Sequence, residues 1–118
     1  MEAGAARVLT AFRDMLASES EQVENFSLQP GGLDLVRSTG RVRLSIAEAE
    51  LHALLACSPL DPGQGISAEE NAAALMRIHL DESLATRDAH ESGWWTYSDG
   101  FFHPLPPWEA REHRRHGR

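Results

Sequence analysis

Along the first sixteen residues the apolar side chains Ala5, Val8, Leu9, Phe12, Met15 and Leu16 recur at intervals of three and four. That spacing puts them on one stripe of a helix and predicts an amphipathic helix over roughly residues 3–20. The period then shortens to two. Phe26 and Leu28 alternate with polar neighbours, Pro30-Gly31-Gly32 interrupts, Leu33 to Val36 follows, and Ser38-Thr39-Gly40 interrupts again before Val42, Leu44 and Ile46. This is the pattern of a short antiparallel meander with one buried face, its Arg41, Arg43 and Ser45 side chains turned to water.

Two helix starts follow. Ser45 with Glu48 three residues later has the spacing of a capping box, in which each side chain satisfies an unpaired amide, and predicts a helix over about 46–57. The Pro- and Gly-rich segment 58–65 reads as a loop, and Ser67 with Glu70 repeats the box ahead of a long helix reaching about Arg87. Gly63 and Gly65 precede that helix as a phosphate loop would. However, Glu69 and Glu70 already occupy the positive end of its dipole, which disfavours an anion there.

The stretch from Gly93 to Glu109 holds six of the eight aromatic side chains. Trp94 to Tyr97 and Phe101 to His103 flank Ser98-Asp99-Gly100, which is expected to close a hairpin as a three-residue loop with Gly100 left-handed. In that register Trp95, Tyr97, Phe101 and His103 share one face, and Trp94, Thr96 and Phe102 share the other. Six aromatics carry on the order of 1,000 Å² of surface, more than a monomer usually leaves in one exposed patch. One face is therefore expected to close the core, and the other, with Trp108 brought alongside by Pro104-Leu105-Pro106-Pro107, to meet a partner. The proline run itself is expected to be a rigid exit from the hairpin.

Charge and composition narrow the chemistry. The chain has 118 residues and a formal net charge of −7. Residues 1–108 contain seven Arg against sixteen acids, whereas residues 109–118 contain four Arg against two. An acidic body repels a phosphate backbone, so nucleic acid is disfavoured as a partner. With no Lys, the chain has no Schiff-base lysine and no lysine for a phosphate loop. Its single cysteine, Cys57, can form no internal disulfide and is expected to be buried filler at a helix end. Neither a signal peptide nor a membrane span is expected, and the location read from these features is cytoplasmic.

Candidate acid/base chemistry lies on the long helix. His79 and Ser83 fall inside the apolar face defined by Ala72, Leu75, Met76, Leu80 and Leu84, with Thr86 and His90 continuing the line. Such an arrangement is either a satisfied core histidine or, with His103 from the hairpin, an acid/base group. His79 and His90 stand about 16 Å apart on a continuous helix and cannot share an ion; no metal and no cofactor is expected. Glu48 and His52, four apart, read as a surface contact.

The fold expected is α+β: a small antiparallel sheet, built from a three-strand meander and a C-terminal hairpin, packed against about three helices. Residues 1–108 form one domain and 109–118 a charged tail. The function expected first is a non-catalytic protein-binding module of the immunity, antitoxin or assembly-factor kind. Its binding residues would be Trp94, Trp95, Tyr97, Phe101, Phe102 and Trp108, and its partner another protein or a second copy. The alternative is a small enzyme or ligand-binding domain with a site between the long helix and the hairpin, using His79, Ser83 and His103.

Overall fold

The computed structural model describes residues 2–29, 31–38, 40–57, 63, 65–86 and 93–104. Helix α1 (Ala3–Ser18) buries Ala5, Val8, Leu9, Phe12 and Leu16, the stripe set by the 3.6-residue period. The chain turns back at Ser20, in the left-handed region at φ 68°, and enters the meander β1 (Gln22–Leu28), β2 (Gly31–Arg37) and β3 (Gly40–Ser45). Arg77 of the long helix fastens this turn, with its Nε 2.6 Å from Glu19 Oε2, while Glu21 bonds Arg37 at 3.1 Å.

After the meander come α2 (Glu48–Leu55), α3 (Ala68–Thr86), β4 (Gly93–Ser98) and β5 (Phe101–Pro104). The fold is α+β, with three helices and one five-stranded sheet, in the order β1-β2-β3-β4-β5, among the described residues. Pairing is antiparallel within the meander and within the hairpin. The two join through a parallel pair, Val42 opposite Gly93 to Ser45 opposite Thr96, because the chain travels through α2 and α3 before returning beside β3. The sheet is therefore mixed.

Leu33, Leu35, Val42, Leu44, Trp95, Tyr97 and Phe102 come from one face of this sheet and join the buried side chains of all three helices in one core. Burying a side chain of the size of Trp95 or Phe102 stabilises by about 1.5–3 kcal/mol. At one point the sheet has no room for a side chain at all: a Cβ on Gly32 would lie 2.5 Å from the Leu44 carbonyl oxygen.

Local chemistry decides the helix starts. Ser67 caps α3 as expected, accepting the Glu70 amide at 3.1 Å and lying 3.2 Å from Glu70 Oε1. Beside it the Glu69 carboxyl is held below its ordinary value, by its own backbone amide and by Arg7. The first box does not form. Ser45 is the last residue of β3, the Ile46 amide extends the ladder to Gly31 O at 3.0 Å, and α2 starts after Ala47 with no side-chain cap. Strand pairing has claimed the residue that the spacing assigned to a helix. Glu48 and His52 both turn to Glu2, Glu48 Oε1 accepting its amide at 2.7 Å and His52 Nε2 lying 3.2 Å from its carboxylate. Cys57, expected in the interior, is exposed. Among the described residues no helix is long and apolar enough to cross a membrane.

Candidate functional site

The hairpin turns on two residues. Ser98 pairs with Phe101, Tyr97 with Phe102, Thr96 with His103 and Trp95 with Pro104, which leaves Asp99 and Gly100 as the loop. Both have positive φ, 51° and 78°, as the tight turn that matches strand twist requires. The three-residue loop read from the sequence is thus one residue too long. Because side chains alternate, that single step moves every β5 residue to the opposite face. Phe102, expected beside Trp94 and Thr96, instead joins Trp95 and Tyr97 in the core. Phe101 and His103 join Trp94 and Thr96 outside.

The consequence for the partner-binding residues is direct. Trp95, Tyr97 and Phe102 are each at most 3% exposed, so they support the fold from within. Trp94 and Phe101 are half-buried on the outer face, and His103 is exposed there. The Arg43 guanidinium lies 5.2 Å from the Trp94 ring centroid, and the Phe101 and His103 rings are 5.3 Å apart. Trp108, the run 105–107 and the tail 109–118 lie outside the described residues, as do His90 and the Thr86 side chain.

His79 and His103, the acid/base pair of the alternative reading, stand on opposite faces of the hairpin. His79 reaches up from α3 on the core side, its Nδ1 2.6 Å from the Tyr97 hydroxyl and its ring stacked on the tyrosine at 5.8 Å. The imidazole also fills the hollow at the turn, where a Cβ on Gly100 would meet it at 3.6 Å. His103 Nε2 lies 3.3 Å from the Ser98 carbonyl on the other side. The inner phenol is pushed up to about 12, by burial first and then by the negative charges of Glu50 and Cys57. A phenol held so firmly neutral is suited to hydrogen bonding and poorly matched to proton transfer near neutral pH.

Ser83, fully buried, connects the same helix to the edge of the sheet. Its hydroxyl donates to the His79 carbonyl at 2.6 Å and accepts the Phe102 amide at 2.9 Å. That amide points away from β4, where an edge strand would expose it. Pro104, the next outward position, has no N–H. Both outward positions of β5 are therefore closed to strand addition. The polar seam noticed on α3 is a docking device for the hairpin, and the sequence signal that could have shown it is Pro104 two residues beyond Phe102.

The other edge is blunted differently. In β1 the pairing runs Glu24 to Asp34 and then jumps to Ser27 with Gly32, a bulge at which Asn25 takes φ 50°. The Asn25 amide bonds Asp34 Oδ2 at 2.9 Å, and the same oxygen accepts from Arg41 at 3.0 Å and lies 3.7 Å from Arg43. Glu24 completes the group, 3.0 Å from Arg41. The Asp34 hydrogen bond raises the Arg41 pKa beyond its already high value. The outer sheet face thus has two halves, internally paired charges on β1 to β3 and aromatic side chains on β4 and β5. Sequence reading placed Arg41, Arg43 and Ser45 on this face correctly but missed the buried carboxylate that organises them. Among the described residues no three His, Cys, Asp or Glu side chains converge as metal ligands would.

The chain matches no protein-family model, no curated protein and no solved structure.

Proposed function

We propose that this protein is a non-catalytic binding module that engages another protein chain through the outer face of its sheet. The observation that supports this reading is the division of labour between the two sheet faces. All three helices pack on one, while the opposite one carries Trp94, Phe101 and His103 beside Arg41 and Arg43. Tryptophan and arginine are the residue types most enriched among the side chains that dominate protein interfaces. The groups that the enzymatic reading needed have other work. Ser83 caps the hairpin edge, and His79 is bonded to a neutral phenol.

The test uses a photo-crosslinking amino acid, p-benzoylphenylalanine, placed at His103 on the outer face or at Ile78, which is 42% exposed on α3. Irradiation in cells is expected to give a discrete protein adduct from position 103 and none from position 78. Adducts only from position 78, or none from either, would contradict the proposal.

A further inference from the structure

We infer that the occupant of the outer sheet face is a second copy of this chain, the two sheets packing face to face. The inference rests on the binding reading above and narrows it to one partner.

Charge is the first argument. Each copy carries a net −7, so two copies repel unless they meet through a surface without net charge. The outer face is such a surface: among the described residues its strands carry the ionised side chains Glu24, Asp34, Arg41 and Arg43, two of each sign. Of the exposed acids among the described residues, Asp14, Glu48, Glu70, Asp81 and Glu82 lie on the helices, Glu2 and Glu19 flank α1, and Asp99 stands at the hairpin turn, at the rim of the sheet and not on its face. The four charges of the outer face are also already matched to one another at 3.0 to 3.7 Å. Covering them leaves no charge buried without its counter-ion, which is the costly outcome at an interface. A strongly basic partner would gain nothing here, because this face presents it with no surplus acid.

Shape and size are the second. The sheet face is a layer with both lateral edges blunted, by the Asn25 bulge on β1 and by Ser83 and Pro104 on β5. Growth by adding strands is disfavoured, so association through the sheet would occur across its face, where two sheets pack about 10 Å apart. Five strands spaced about 4.8 Å apart and about 20 Å long give a footprint of roughly 500 Å², before side-chain relief adds to it. A stable dimer typically buries about 800 Å² per partner, so this face suits a dimer of modest affinity, on the order of micromolar.

Sedimentation of the full chain between about 1 and 500 µM tests this across the affinity range expected for such an interface. Wild type should pass from monomer to dimer. Thr96→Arg, in the middle of the face, and Phe101→Asp should stay monomeric with an unchanged far-UV circular dichroism spectrum, while Ile78→Asp on α3 should still dimerise. If either face variant unfolds, the other carries the test; should both unfold, His103→Glu, at an exposed site on the same face, replaces them. A wild-type monomer at every concentration, combined with a position-103 adduct to a different protein, would overturn the second copy and leave the binding reading intact. A dimer that survives all the face variants would overturn the second copy on this face, and, with no adduct from position 103, the binding reading as well.

Discussion

The two faces of the β4–β5 hairpin are built from the same kinds of residue and serve different ends. Phe102, Trp95 and Tyr97 point inward, where the His79 ring and the helix side chains complete their packing. Phe101, Trp94 and His103 point outward, beside an arginine and on a surface that no helix of the described residues covers. Aromatic content alone therefore says little about whether a segment is core or contact surface. The turn decides, because the count of loop residues sets which side chains face which way. Here Asp99 and Gly100, both in the left-handed region, fix that count at two.

Changes that test this contrast are expected to fall in a clear order. Trp95→Ala on the inner face should cost about 3–5 kcal/mol, enough to remove most of the stability of a small domain. Urea unfolding measures it, and a loss below about 1 kcal/mol, the ordinary range for surface substitutions, would place Trp95 outside the core. Next comes Gly32→Ala. Its new methyl group would meet a backbone carbonyl at 2.5 Å, and separating β2 from β3 to relieve it should cost about 2 kcal/mol or more. Ser83→Ala leaves the buried Phe102 amide without its acceptor, at about 1–3 kcal/mol. Because it also reopens the β5 edge, the variant should show faster amide exchange at Phe102 and increased aggregation on heating. Unchanged exchange there would remove the capping role.

The smallest effect is a pH dependence. Tyr97 is the single tyrosine, so phenolate absorbance reports one site. Its folded value, pushed up to about 12, lies above the value near 10 of an unfolded chain. Its contribution to stability is accordingly intact below about pH 10 and is lost as pH rises from there through about 12. A phenolate midpoint near 10 in the folded protein would show that Tyr97 reaches water.

Much of this architecture is legible in the sequence because periodicity is a backbone-scale signal. The α1 stripe, the three strands of the meander and the long α3 all follow from where apolar residues recur. What escapes is whatever depends on a choice between two competing partners. Ser45 could cap a helix or end a strand, and the ladder to Gly31, distant in sequence, wins. Ser98-Asp99-Gly100 could close with three residues or two, and strand twist favours the tighter turn. The parallel join of β3 to β4 depends on how the two-helix connection returns, which no local pattern encodes. At the candidate site, His79 and Ser83 were visible as polar residues on an apolar face. Their partners, Tyr97 and the Phe102 amide, lie about 18 positions away across the core, and only the fold pairs them.

Phe101 and Phe102 are adjacent in sequence and opposite in orientation, so they test the central claim together. Each is changed to Ala, and each variant is followed by urea unfolding and by sedimentation. Phe102→Ala is expected to lose about 3–5 kcal/mol of stability. Phe101→Ala should unfold within about 1 kcal/mol of wild type, yet associate more weakly. If Phe101→Ala were as destabilising as Phe102→Ala, or if it associated as wild type does, the hairpin would not be divided into a core face and a contact face.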